Sequence, residues 1–419
     1  MLSSTRVDSP ASRWAWLFPL ALGGVGLLGW ACQEPTNGNS RGGQDTDGSD
    51  EITRRDVLRS IAAQVIVPGT AEFASRATAL STAVDALAAA RSSGADVEAA
   101  RQAARDSWHE AMSQWQELEL MQVGPAASSL AAIGGEDLRD EIYSWPTADT
   151  CAVDRAIVDE DYGGDGFVEN SLVWVYGLDA LEYLLFTNTD EHTCPSQVQL
   201  DGPWMALSGD ELDTRRAAYA SVLAAHIAEQ ANALATRWDP SGGNFAGALG
   251  NPGEGDSPYA NDLEALDQVF HAMFYIDKQT KDAKLGLPLG LVEGCDAVPC
   301  VSLLENPWSD DAGPSLVANL RMLQALVQGG PDPETAAGFD DLLEQMGEGA
   351  IALTLLRDID TAIATIEAIE APMSEAIATD VAQVEAAYGA VKKVSDTLKG
   401  PFVTALMLTI PAEGAGDAD

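Results

Sequence analysis

From Glu51 onward, apolar residues recur every three or four positions through most of the chain, the repeat of one face of a helix. Val57, Leu58, Ile61 and Val65 open the series in a helix expected over about Glu51 to Ala90, broken at Pro68-Gly69 and ended by Ser92-Ser93-Gly94. A second helix, Val97 to about Val123, sets Trp108, Met112, Trp115 and Glu119 in one stripe and stops at Gly124-Pro125. Leu212, Tyr219, Leu223, Ile227 and Leu234 line one side of Asp210 to Trp238, and Leu263, Leu266, Phe270, Met273 and Ile276 line one side of Asn261 to Lys281. Ser315 to Gln328, Pro333 to about Ile369 and Pro372 to Leu398 follow, and Pro401 bends the chain before Phe402 to Ile410. Between these runs, 126–169 and 285–309 read as irregular, with breakers at Trp145-Pro146 and Gly163-Gly164 and a short helical piece at Glu136 to Tyr143. No repeat of 20–50 residues is visible, which argues against a solenoid. Long amphipathic helices with short connections pack most economically as up-and-down bundles. The expected fold is therefore all-α, with two such bundles in series, 51–240 and 259–411, joined by a linker at 241–258 rich in Gly, Asn, Pro and Ser.

One stretch departs from amphipathicity. Ser171 to Thr187, SLVWVYGLDALEYLLFT, reads as a helix apolar on nearly every side, and such a helix belongs inside a protein. Asp179 and Glu182 go inside with it, three residues apart and so on one face. A buried carboxylate without a partner costs several kcal/mol. Each acid must therefore be protonated, matched to a cation, held by hydroxyls or backbone amides, or bound to a metal. Gly177 is a second anomaly, because glycine inside a helix costs ~0.5–1 kcal/mol against alanine and marks close approach of another backbone or a ligand. Glu119, an acid on an apolar stripe, reaches either past the core to solvent or inward as a third oxygen. Carboxylate oxygens suit hard cations. The expected ligand set is Glu119, Asp179 and Glu182, with iron or calcium as the candidate cofactor.

Composition sharpens this picture in three places. With 23 Lys+Arg against 65 Asp+Glu, basic partners for buried acids are scarce, which favours a metal, and the net charge of −42 argues against nucleic acid as a partner. The histidines His109, His192, His226 and His271 are dispersed, so HExxH zinc chemistry is not encoded, and GxSxG, P-loop and GxGxxG motifs are absent too. No catalytic group is identified by motif. Arg6 and Arg13 precede the apolar run Trp14 to Ala31, which ends at Cys32 as a secretory signal with a lipid-modified cysteine does. Residues 1–32 are thus expected to be a signal, or, given the bulky Trp30, an uncleaved membrane anchor. Residues 33–50 read as a flexible tether and 412–419 as a disordered tail. The remaining cysteines, Cys151, Cys194, Cys295 and Cys300, suit an oxidising compartment, and closeness in sequence favours Cys151–Cys194 and Cys295–Cys300.

At Gly177-Leu178-Asp179-Ala180-Leu181-Glu182 the chain resembles the imelysin family of bacterial envelope proteins, whose signature GxHxxE precedes an apolar run. Gly177 and Glu182 match, and Asp179 stands in the histidine place. The likeness continues in the family's order through Trp108 to Gly124-Pro125, Ile142-Tyr143-Ser144-Trp145-Pro146, Arg216 to Tyr219 and on to Trp238, and Ser309-Asp310 with Asn319. It implies two helical bundles, a lipoprotein of the outer membrane facing periplasm or exterior, and a link to iron acquisition with envelope iron-uptake partners. The family's founding activity implies a metallopeptidase with Glu182 as general base on metal-bound water. Aspartate in place of histidine removes a nitrogen ligand and favours a hard cation or none. Three functions are therefore expected: an envelope-tethered binder of a hard cation, a metallopeptidase, or a non-catalytic scaffold or interaction lipoprotein.

Overall fold

The computed structural model describes residues 51–295 and 298–412. The expected signal, Cys32, the tether and 413–419 of the expected tail lie outside the described residues. Thr53 and Asp56 close a capping box that starts α1 (Arg54–Ser60), which runs through a π-helical turn (Ile61–Ile66) into α2 (Val67–Ser93). The expected break at Pro68-Gly69 is absorbed by that turn. Proline lacks an N–H and its ring crowds the carbonyl four residues back, and a wider turn just before it accommodates both. Asp96 caps α3 (Val97–Leu118). Short helices α4 (Leu138–Ile142) and α5 (Thr150–Asp159) cross the irregular region, followed by α6 (Leu178–Phe186), α7 (Gly209–Trp238) and α8 (Phe245–Gly250). The second half holds α9 (Asp262–Met273), a long π-helix (Ile276–Gly286), α10 (Ala312–Val327), α11 (Phe339–Gln345), α12 (Gly349–Glu367), α13 (Met373–Thr379) and α14 (Val381–Thr397). No strand occurs among the described residues.

The fold is all-α, as the periodicity predicts. α2 packs against α3 and α7, and α6 packs on α3 and α7. In the second half α12 lies between α10 and α14, and α14 also packs on the π-helix. The two groups meet along α3 and α10. Apolar stripes fill both groups: Phe73, Leu80, Trp108, Tyr219 and Ile227 in the first, Leu320, Leu323, Leu355, Ile359 and Val391 in the second are fully buried.

Three local expectations are corrected. The segment expected as a linker contains α8, whose Phe245 packs edge-on against Trp238 with ring centroids 5.0 Å apart. Arg59 Nε donates to the Gly250 carbonyl at 3.0 Å, and Arg55 Nη2 donates to the Pro252 carbonyl at 3.0 Å, fastening the segment to α1. The helices expected over 333–369 and 372–398 are each divided, the first at Gly347, which takes φ +81°, and the second at Asp380. Most consequential, the central helix begins at Leu178 and not at Ser171. Residues before it form one 3-10 turn (Val173–Val175), and Leu172 and Trp174 are 59% and 42% exposed. Gly177 ends this turn with φ +101° and ψ 178°, a conformation open in practice to glycine alone. A Cβ there would meet Asp179 Oδ1 at 2.8 Å and the Ile142 carbonyl oxygen at 3.1 Å.

The disulfides pair as expected, Cys151–Cys194 and Cys295–Cys300. The first fastens α5 to the loop after α6. Beside it, Asp154 accepts the Tyr183 hydroxyl at 2.8 Å and the Thr193 N–H at 2.7 Å, so this loop region holds the central helix by a covalent and a polar link.

Because Gly177 combines a left-handed φ with two close oxygens, Gly177→Ala is expected to destabilise the protein by about 1–3 kcal/mol in denaturant unfolding. A loss below roughly 0.5 kcal/mol, the ordinary range of surface substitutions, would contradict this account of the turn.

Candidate functional site

The apolar stripe of α9 continues into the π-helix in steps of four, Ile276, Thr280 and Lys284, and so drives a lysine into the interior. Lys284 is 2% exposed. Its ammonium donates to Gln116 Oε1 at 2.6 Å, Glu119 Oε2 at 3.2 Å and Asn319 Oδ1 at 3.0 Å, and pairs with Glu305 Oε1 at 3.0 Å. Glu119, just past the end of α3, also accepts Arg139 Nη2 of α4 at 3.1 Å. Glu305 Oε1 further accepts the Tyr143 hydroxyl at 2.8 Å and Gln116 Nε2 at 3.0 Å. Asn319, on α10, returns its amide to the Gln116 carbonyl at 2.7 Å. This buried network spans α3, α4, the π-helix, the 305–306 loop and α10, which is the seam between the two helix groups.

Its charges are unequal. Burial pushes the Glu119 carboxyl up, but Lys284 and Arg139 outweigh it and hold the group below the ordinary carboxylate range. Glu305 is pushed up by burial, and Glu119 nearby adds to that against the pull of Lys284. Its Oε2 is buried without a hydrogen-bond partner, which leaves an oxygen for a proton. Burial, with Glu305 and Glu119 close by, keeps the Tyr143 and Tyr275 hydroxyls protonated well past their usual range.

Asp179 and Glu182 are buried as their helix predicts, at 4% and 1% exposure. Asp179 Oδ2 accepts the Ser144 hydroxyl at 2.8 Å, and Oδ1 accepts the Ala180 N–H at 2.9 Å. Glu182 Oε1 accepts the N–H of Trp308 at 3.1 Å, the N–H of Ser309 at 2.8 Å and the Ser309 hydroxyl at 2.7 Å. Burial raises the Asp179 carboxyl to about 6 against the pull of these donors. It raises Glu182 to about 8, with Asp311 contributing in the same direction. With all three donors on Oε1, the proton of Glu182 belongs on Oε2. Asp311 itself faces His109, whose Nδ1 lies 3.2 Å away, so the 308–311 segment grips both α6 and α3.

Of the four ways a buried acid can be compensated, the structure uses hydroxyls and backbone amides for Asp179 and Glu182, with burial raising both carboxyls toward protonation, and lysine and arginine for Glu119. The expected ligand set is not assembled: the three acids have separate partners, and among the described residues no group of three or more His, Cys, Asp or Glu could hold a metal ion. A cation at Glu119 would have to displace an ammonium and a guanidinium, so these side chains do not fit a three-carboxylate centre. Lys284, Arg139, Glu305 and Gln116 went unseen in the sequence pattern. The signal for Lys284 was present, because steps of four from Ile276 carry the stripe onto it. Glu305 lies in a loop, where no periodicity points inward.

Lys284→Met is expected to cost about 3–5 kcal/mol, since it leaves buried carboxyls without their cation. Lys284→Met/Glu119→Gln should lose less than the sum of the two single variants, measured by denaturant unfolding, because the groups act together. The pH dependence runs in the opposite sense from a salt-bridged acid. Glu182 keeps its proton in the folded state up to about pH 8, whereas the unfolded chain releases it near its ordinary 4.5. The folded state thus binds more protons in that window, and the Glu182 contribution to stability falls as pH rises from about 4.5 to about 8. Glu182→Gln, which cannot titrate, should make the profile of unfolding free energy shallower between those limits, most clearly above about pH 6, where Asp179 no longer contributes; an unchanged slope would show that Glu182 is ionised throughout.

A comparison with known proteins places this geometry. The family model Peptidase_M75, Imelysin, matches residues 66–399. Among solved structures, a protein from Parabacteroides distasonis described as an iron-regulated protein A precursor is 20% identical, with a TM-score of 0.64 over 86% of this chain and 97% of that one. An imelysin-like protein from Psychrobacter arcticus is 17% identical, with a TM-score of 0.62 over 85% of this chain and 96% of that one. No curated protein matches. With the family model spanning most of the chain and both structures sharing its fold, the protein belongs to the imelysin family.

Proposed function

We propose that this protein is a non-catalytic binding protein of the cell envelope, held off a membrane by a lipid-modified Cys32 and the 33–50 tether. Its buried acids lock the helices together and do not cleave peptides. The observation that carries this reading is the state of Glu182, the group a metallopeptidase of this family would need as base. Its carboxyl is 1% exposed, out of reach of a substrate water, and Oε1 is already taken by the Trp308 N–H, the Ser309 N–H and the Ser309 hydroxyl. Asp179, in the histidine place of the signature, is also engaged, its Oδ2 by the Ser144 hydroxyl and its Oδ1 by the Ala180 N–H. Among the described residues no helix is long and apolar enough to cross a membrane.

A second reading, binding of a hard cation such as iron or calcium in iron acquisition, draws support from the Parabacteroides protein described as iron-regulated. One experiment separates the readings: metal content and peptide hydrolysis of the full chain, beside Asp179→Asn/Glu182→Gln. The expected outcome is equal metal content in both proteins and no chelator-sensitive hydrolysis. Metal retained by the unsubstituted chain alone would favour the cation reading, and chelator-sensitive hydrolysis lost in the variant would establish the peptidase.

A further inference from the structure

Where α2, α3 and α7 meet α6, the chain gathers arginines around a small cavity. Its volume is about 20 Å³, and its polar lining comes from Arg91, Arg101, Arg216, Asp213 and Thr187. In a chain with 23 Lys+Arg against 65 Asp+Glu, three guanidiniums here share one carboxylate. Arg91 Nη2 bonds Asp213 Oδ2, Arg101 Nη2 bonds the same oxygen at 3.1 Å, and Arg216 Nη1 lies 3.8 Å from Oδ1. Of the remaining acids nearby, Glu98, Asp190 and Asp210 are exposed, Asp210 reaching Arg91 Nη1 only at 3.4 Å, and the buried Asp154, close to Arg216, already accepts from Tyr183 and Thr193. The arginine side chains are withdrawn from water, at 13%, 23% and 6% exposure in chain order.

Two donors in this cluster go unanswered. Arg91 Nε and Arg216 Nε are buried and have no hydrogen-bond partner, although Arg216 Nη2 does reach the Thr189 carbonyl at 2.9 Å. A buried N–H left unmade is costly, and more so on a charged group. Burial holds the Arg91 and Arg216 guanidiniums below their ordinary range, and for Arg91 the neighbouring Arg101 adds to it. Two charged, buried N–H groups without an acceptor thus leave a place in this cluster for an added anion.

Size and sign narrow the guest. A cavity needs roughly 10–15 Å³ of such space to admit a water-sized guest, and this one exceeds that slightly. A cation is excluded by the guanidiniums, and an apolar guest would leave the donors unmade. An organic carboxylate or a dinucleotide needs more room than the roughly 20 Å³ available. We propose that this cavity is a binding site for a small inorganic anion of chloride size, held by the N–H groups of Arg91, Arg101 and Arg216. The site is separate from the Lys284 network and from Asp179 and Glu182, and it stands whatever the function of those residues proves to be.

The test uses the full chain in sodium gluconate at constant ionic strength, with chloride as the probe. The ³⁵Cl line width is followed on titration, together with bromide-soaked crystals examined for anomalous scattering. The unsubstituted protein should broaden the chloride line saturably, and bromide should appear among the three arginines. Arg101→Gln, the most exposed of the three and so the least disruptive to folding, should weaken chloride binding roughly tenfold, the effect of losing one charge-assisted donor. Asp213→Asn removes the competing carboxylate and should tighten binding, an opposite response that misfolding does not produce. Equal broadening in all three proteins, or crystals with no bromide at this position, would overturn the proposal and leave the cavity to water.

Discussion

An ammonium group kept out of water is the constraint on which the arrangement of this molecule turns. Lys284 can be buried only if acceptors surround it, and no single helix supplies them. Gln116 comes from α3, Glu119 from its end, Asn319 from α10 and Glu305 from the loop before α10. Satisfying one cation therefore fixes the register of α3 against α10, the two helices along which the halves of the fold meet. Buried ion pairs are poor sources of net stability, because desolvation offsets much of the attraction. Their effect is on uniqueness: a sliding of α10 by one turn would retain much of the apolar contact yet strand the lysine. In a protein whose helices are largely alanine, leucine and valine on their inner faces, that polar register supplies discrimination that smooth apolar surfaces lack.

The central helix solves a related problem by opposite means. Glu119 stays charged because cations reach it, whereas Glu182 and Asp179 are compensated by hydroxyls and amides and are driven toward their neutral forms. The difference follows from supply. A chain with 23 basic residues and a formal charge of −42 has few cations to place in its interior, and those it does bury at the seam are already engaged. Protonation is the remaining way to keep a carboxyl in a dry site. Both solutions connect the helix groups, since Trp308 and Ser309, which hold Glu182, belong to the same loop that brings Glu305 to Lys284.

Periodicity made most of the fold legible, and its failures have physical causes. Most of the long helices, and the disulfide pairing favoured by closeness, are legible from spacing, because amphipathic repeats and neighbouring cysteines are local signals. The central helix starts seven residues later than its apolar content suggests, because apolar content carries no phase: Leu172 and Trp174 lie before Gly177, on a turn that leaves them exposed. That Asp179 and Glu182 lie inside was correctly read, as was the list of groups able to compensate them. Which of these would do so depended on Ser144, Trp308 and Ser309, brought from 35 to 127 residues away, and no local pattern encodes such distances. The arginine cluster was hidden for the same reason. Arg91, Arg101 and Arg216 each occupy an ordinary helical position and become unusual only when three helices bring them to one carboxylate.

Aspartate at the histidine place of the signature gains meaning from this geometry. Gly177 turns the chain so that α6 begins at Leu178, which puts residue 179 in the first turn, where the helix dipole favours negative charge. There the Asp179 carboxyl accepts the N–H of Ala180 with one oxygen and the Ser144 hydroxyl with the other. A neutral imidazole has one acceptor nitrogen and could not answer both donors, so the site as built is matched to a carboxyl group. The glycine and the aspartate thus act together. The positive φ of Gly177 leaves no room for a side chain beside Asp179 Oδ1, and the carboxyl so accommodated ties the start of the helix to the Ser144 loop. In this chain the signature has become the clasp by which the central helix is held, and its acids are occupied by the fold itself.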